Sequence, residues 1–196
     1  MLTITDILPL EEDPNYRVVY VDNQPEITIP TSTIEQLELA IGQAWTSDLA
    51  TQADTFDQID EAKHMALNLI SKKAWGVREL AARLVKRGID TNIALQTTEQ
   101  LEEDGWLDDF KYACARIRDW IRVEPASPRW LHRKLQERLL SQEHANEAIA
   151  AELGDKSEQD LATALAIIRL TKVAGVDEVT TRRRVMSALS RRGFST

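Results

Sequence analysis

Three stretches of this chain carry one pattern, and that repetition constrains the fold more than any other feature. "VRELAARLVKRGI" (77–89), "PRWLHRKLQERLL" (128–140) and "TRRRVMSALSRRGF" (181–194) align on their apolar positions. Leu80, Leu131 and Val185 correspond, as do Leu84, Leu135 and Leu189, and then Gly88, Leu139 and Gly193. The first set recurs at intervals of 51 and 54 residues. Apolar residues four apart mark a helix with one buried face. Each of these helices follows one of its own, expected over 59–73, 107–122 and 157–173, and the first two units continue into third helices near 91–104 and 142–153. A period near fifty predicts tandem three-helix repeats, each covering its neighbour's apolar face. The fold class is therefore mainly α, with a small N-terminal β-hairpin extension. The expected boundaries are an acidic extension (hairpin plus helix) over 1–57, repeats over 58–106 and 107–155, and a third over 156–196 that lacks its third helix.

Strand material is confined to the first 30 residues. "YRVVYVDNQPEITI" (16–29) sets two β-branched, aromatic runs across the turn-formers Asp22, Asn23, Gln24 and Pro25. "LTITDI" (2–7) offers a third short strand. Ser32 with Glu35 reads as a capping box that opens a helix with the stripe Ile34, Leu37, Ile41, Ala44 and Trp45. "TSDLATQADTFD" (46–57) reads as a polar connector. In 107–122, Phe110, Ala113, Cys114, Ile117 and Ile121 share one helical face, and Asp108 and Asp109 begin that helix, where acids cap free N–H groups.

Charge is distributed unevenly. The 196 residues carry a formal net charge of −8, yet the last sixteen hold five arginines and no acid. Residues 1–62 hold 13 acids against Arg17 alone, a net −12, so the remaining body is +4. An acidic head on a basic body points to a nucleic-acid or filament partner, with a solvating acidic segment as the plainer reading. No stretch approaches the ~20 apolar residues that span a bilayer. One cysteine and no basic-then-apolar leader give the expectation of a soluble cytoplasmic protein.

Residue types that carry chemistry are few. Cys114 on an apolar face reads as core. His64, His132 and His144 show no metal-ligand spacing, and there is no Gly-rich phosphate loop. Trp106 and Trp120 read as packing between units rather than as base-stacking platforms. Catalytic, cofactor and metal residues are therefore expected to be absent. Arg78, Arg129 and Arg183 are equivalent across the repeats, as are Arg87, Arg138 and Arg192. The first trio, with the Arg182–Arg183–Arg184 cluster expected at a helix start, suits a partner. Arg87 and Arg192 precede a glycine, where a cation also complements the helix dipole.

The order of these motifs resembles the RecX family of regulatory proteins, modulators of the recombinase RecA, over residues 60 to 196. "LEEDGWLDDFKYA" (101–113) is similar to the family's joint between first and second repeats, and "LSRRGF" (189–194) to its basic-basic-Gly-Phe close. Two departures stand out: Leu139 replaces the repeat's glycine, and the family usually continues beyond Phe194 through another helix. The resemblance implies a non-enzymatic, elongated and curved monomer. It would lie in the groove of the RecA–single-stranded-DNA filament and inhibit ATP hydrolysis, strand exchange and filament growth in recombinational repair and the SOS response. Partner-facing residues would be Arg78, Arg83, Lys86, Arg87, Arg129, Arg133, Lys134, Arg138, Arg182, Arg183, Arg184, Arg191 and Arg192. The partners would be RecA and, through the filament, single-stranded DNA, with no membrane and no cofactor. The alternative is a helical nucleic-acid-binding module acting directly on DNA.

Overall fold

The β-branched runs pair as their pattern demands. In the computed structural model, which describes residues 2–172, 175 and 177–195, β1 (Ile4–Pro9), β2 (Tyr16–Val21) and β3 (Gln24–Pro30) form an antiparallel sheet in that order. Asp22 and Asn23 make the hairpin turn at φ 48° and 65°, left-handed values that Asp and Asn tolerate better than other side-chain-bearing residues. Gln24 and Pro25, expected in the turn, already belong to β3. Pro9, Pro25 and Pro30 sit on the two outer strands, where a missing N–H costs least.

The segment after the sheet departs from expectation. The helix α1 (Thr31–Gln36) lasts six residues, with Pro30 at its N-cap and no side-chain cap, so the Ser32–Glu35 box does not form. Glu38 turns to φ 48° and the chain runs back along the outer edge of the sheet. There the Ile4 N–H donates to the Gln43 carbonyl at 2.9 Å, the Gly42 N–H to Ile4 at 2.8 Å and the Trp45 N–H to Leu2 at 2.9 Å. Leu39 and Trp45 still reach the core, but Ile41 is exposed. Residues 46–57 are no connector: Thr46 accepts from the Leu49 N–H at 3.2 Å and starts α2, a 24-residue helix over Ser47–Ile70. That helix crosses the 57/58 boundary. Its buried residues lie on two sides: Ala53 faces one way, and Ala62, Ala66 and Leu69 share the opposite side, about 180° round the helix. Ala53 joins Ile4, Val19, Val21, Ile29, Leu39 and Trp45 in one core, so sheet and helix stabilise each other.

The rest is helical: α3 (Val77–Val85), α4 (Thr91–Glu103), α5 (Asp109–Val123), α6 (Pro128–Gln136), α7 (Gln142–Leu153), α8 (Glu158–Thr171) and α9 (Glu178–Arg191). The described residues are thus mainly α, with nine helices and one three-stranded sheet. The expected end of α8 at residue 173 lies outside them. Of the caps expected from the sequence, the one at Asp108 forms. Asp108 accepts from the Lys111 N–H at 2.8 Å, which holds its carboxyl below the usual carboxylate range, and Ser127 with Pro128 opens α6. Phe110, expected on the buried face of α5, is exposed, and Tyr112 is buried instead, beside Ala113, Cys114 and Ile117.

Two units share the chain. The first takes the chain to Lys73 and returns for Ala81–Gln100; the second takes Ala74–Leu80 and everything from Leu101. The second unit's core joins α5, α6 and α7 through Ile117, Leu131, Leu135, Ala148 and Leu153, and extends to Leu165 of α8 and to Phe194. The three repeat-equivalent positions all take the left-handed conformation: Gly88 at φ 100°, Leu139 at 63° and Gly193 at 84°. Leu139 pays the penalty a glycine avoids, about 1–2 kcal/mol.

Candidate functional site

Placing the thirteen cations named from the sequence separates them into groups. Arg83, Lys86 and Arg87 belong to the first unit and are exposed. In the second unit, Arg78, Arg129, Arg133, Arg182, Arg183, Arg184 and Arg191 are exposed, and Lys134 is half-buried. Arg133 and Lys134 both face Glu137, at 3.9 and 2.5 Å. Arg129 and Arg133 line a shallow groove with Pro128, His132 and Asn146, in which the His132 ring nitrogen Nε2 lies 2.8 Å from Asn146 Oδ1.

Arg138 and Arg192 are committed to internal partners. Glu79 accepts Arg138 Nη1 at 2.6 Å and the Tyr112 hydroxyl at 2.5 Å. Burial, and then the bond to Glu79, push the Tyr112 hydroxyl well above the usual phenol range, while Glu79 holds the Arg138 guanidinium above its ordinary value. Asp109 completes this joint. Rather than capping α5, it accepts the Val77 N–H at 2.8 Å and so caps the start of α3. The paired acids of "LDDF" therefore cap two different helices, Asp108 its own and Asp109 another.

The ending "RRGF" forms a clasp. Arg192 donates through Nη2 to the Glu124 carbonyl at 2.7 Å and the Trp120 carbonyl at 3.2 Å, satisfying the last turn of α5. Its guanidinium lies 4.5 Å from the Trp130 ring centroid, and that ring meets Trp120 edge-on at 5.7 Å. Only 14% of the Arg192 side chain is exposed, and desolvation lowers its pKa against the pull of Glu124. The Ser127 N–H donates to the Arg192 carbonyl at 3.0 Å. A Cβ on Gly193 would stand 2.5 Å from Ser127 Oγ and 2.9 Å from Trp130 Cβ, so this glycine is needed for close approach as well as for its φ. Phe194 is then inserted into the second unit's core. Trp120 packs as expected, but Trp106 does not: it is exposed.

Glu124 gathers cations from two helices. Its carboxylate, 11% exposed, lies 2.5 Å from Arg169, 3.7 Å from Lys172 and 3.8 Å from Arg192. Beyond it, α8 and α9 border an open groove of about 430 Å³ lined by Arg169, Lys172, Arg183, Arg184, Ser187 and Arg191. Sequence comparison between repeats missed Arg169 and Lys172, which have no counterpart in the aligned second helices. The Arg182–Arg183–Arg184 cluster is not at a helix start. Helix α9 begins at Glu178, capped by Asp177, so the cluster lies beyond the first turn, where the dipole has faded. At roughly 100° per residue, Arg183, Arg184, Ser187 and Arg191 share one side of α9, and Arg182 falls with Val179 and Met186 on another.

Among the described residues, no group of three or more His, Cys, Asp or Glu side chains is placed to hold a metal, and no helix is long and apolar enough to cross a membrane. Cys114 is buried, and desolvation pushes its thiol up.

Comparison with known proteins sets these features in context. No protein-family model matches the chain. It is 27% identical to the regulatory protein RecX of Leuconostoc citreum over 199 residues, covering 100% of this chain and 73% of that one. It is 27% identical to RecX of Streptococcus pneumoniae serotype 19F over 190 residues, covering 96% and 72%. RecX of S. pneumoniae strain CGSP14 is 32% identical over 111 residues, less than half of its own length at 43%. A crystal structure of a regulatory protein RecX superposes with a TM-score of 0.79 at 18% identity, covering 100% of this chain and 95% of that one. RecX from Lactobacillus salivarius superposes at 0.58 over 71% of this chain and 90% of its own, at 19% identity.

Proposed function

This chain belongs to the RecX family of regulatory proteins, and on that premise we propose that it regulates a RecA–single-stranded-DNA filament by binding it without catalysis. We assign the three repeats to residues 58–106, 107–155 and 156–196. The observation that carries this reading is the outward presentation of cations by the second helix of each repeat. Arg78 and Arg83 on α3, Arg129 and Arg133 on α6, and Arg183 and Arg184 on α9 are all exposed. A filament offers repeating protein and phosphate sites, and several weak contacts to it sum through effective concentration. The clasp and the Glu79 joint support the same reading in another way, because they hold rigid the helices that present those side chains.

The consequence is suppression of RecA ATP hydrolysis, strand exchange and filament growth in the cytoplasm during recombinational repair and the SOS response. The test is single-stranded-DNA-dependent ATP hydrolysis by RecA with this protein added at substoichiometric amounts. A fall in rate, with the protein co-sedimenting with filaments, is expected. An unchanged rate at equimolar protein would overturn the reading.

A further inference from the structure

We propose that the α8–α9 groove is a phosphate-binding site that takes a run of backbone phosphates without reading bases. Five cations from two helices converge there: Arg169 and Lys172 from the end of α8, and Arg183, Arg184 and Arg191 from one side of α9. Ser187, which accepts from Arg191 Nη1 at 2.6 Å, adds a hydroxyl to the lining. No acid lines the groove among the described residues. Glu124, which pairs with Arg169 and Lys172, offsets a single charge.

A second observation points to a ligand. Arg169 Nε is buried and has no hydrogen-bond partner, although Nη2 of the same guanidinium is bound to Glu124. A buried donor left unmet is costly, and a turn of the guanidinium that brings Nε to a phosphate oxygen in the groove removes that cost. The lining also indicates which ligand. It contains no aromatic ring on which a base could stack and is an open trough rather than an enclosed cavity, which suits a chain of phosphates passing through. Arginine forks bind phosphate oxygens in pairs, and four of the five cations are arginines.

The shared chemistry is the phosphate chain, which can come from single-stranded nucleic acid or from free polyphosphate. The inference rests on the proposed filament binding only for the first of these sources. The experiment measures binding of a labelled oligothymidylate to the full chain by fluorescence anisotropy, without RecA, across a salt series. Tripolyphosphate and pyrophosphate serve as competitors. The wild-type chain is expected to bind with a steep salt dependence. The double variant Arg183→Gln, Arg184→Gln should lower the slope of log K against log salt by about 1.4, at ~0.7 for each single-strand phosphate that is no longer neutralised. Lys172→Gln should lower it by about half that. Arg122→Gln, an exposed arginine on α5 outside the groove, should leave it unchanged.

Competition by tripolyphosphate as strong, per phosphate, as that by unlabelled oligothymidylate would support the groove and assign it to free polyphosphate. Unchanged slope and affinity in the double and Lys172 variants, with unchanged circular dichroism, would overturn the proposal. The two readings also fail separately. Oligothymidylate binding that responds as described, with no effect on RecA, would refute the filament reading and keep the groove.

Discussion

Replacing Gly193 by alanine tests the clasp most directly, and Gly105→Ala is the matched reference. Both glycines belong to the second unit, and both have left-handed backbones, at φ 84° and 79°. They differ in what surrounds them: a Cβ at Gly105 meets nothing within 4 Å, whereas one at Gly193 meets Ser127 Oγ at 2.5 Å, Trp130 Cβ at 2.9 Å and the Trp130 backbone nitrogen at 3.3 Å. The left-handed conformation costs alanine ~1–2 kcal/mol, from which ~0.5–1 kcal/mol returns because the unfolded chain loses freedom. Gly105→Ala should therefore cost about 0.5–1 kcal/mol. At Gly193 the overlap with Ser127 and Trp130 adds an overpacking term of ~1–3 kcal/mol, for a total of about 1.5–4 kcal/mol. The assay is urea unfolding followed by tryptophan fluorescence, with the slope of the transition checked for constancy. Trp120 and Trp130 sit in the clasp, so the signal reports on the right place. Variants differing by less than about 0.5 kcal/mol would show that close approach at Gly193 does not matter and that only its φ does.

Other consequences are equally open to measurement. Glu79→Ala leaves Arg138 and the buried Tyr112 hydroxyl without their acceptor and should cost about 2–3 kcal/mol, read by chemical denaturation; a loss below ~0.5 kcal/mol would refute the joint. Asp57 has its pKa raised above the ordinary 3.8, first by burial and then by Asp60, Glu61 and Asp54, so its charge opposes folding. Asp57→Asn should therefore raise the melting temperature at pH 7, with a gain that is complete above the raised pKa and vanishes as pH falls through 3.8; an equal gain at pH 3 would contradict this. The Tyr16 hydroxyl, bound to Asp60 at 2.8 Å, is pushed up to about 12, so alkaline spectrophotometric titration should find it ionising after a free phenol. Cys114 should resist alkylation in the folded chain and react at once in denaturant.

Which parts of the fold could be read from the sequence follows from what each element is made of. The repeat helices announce themselves because Leu80, Leu84, Leu131 and Leu135 are large, apolar and four apart, and each is fully buried. Helix α2 gives no such signal, because three of its four buried residues are alanines and Ala53 lies on the side opposite the other three. Residues 37–46 carry helical spacing yet run along a sheet edge, since unpaired β1 groups there need partners more than Leu39 and Trp45 need a helix. The acids at 108 and 109 look alike in sequence, and only the tertiary arrangement sends one to α3. The α8–α9 groove was half visible: α9 supplies a conspicuous arginine run, but Arg169 and Lys172 come from a helix whose pattern speaks only of packing.

The segment Ala74–Leu80 belongs with residues that come much later in the chain. Val77 is fixed by Asp109, and Glu79 by Tyr112 and Arg138, the last 59 residues downstream. During synthesis at ~5–20 residues per second, Glu79 therefore waits several seconds for Arg138 to be made. The second unit cannot close before then, whatever its neighbours have already folded. The same interleaving means that a fragment cut at Leu101 would leave Asp109, Tyr112 and Arg138 without the groups they bind, so the second unit is not separable by a single cleavage.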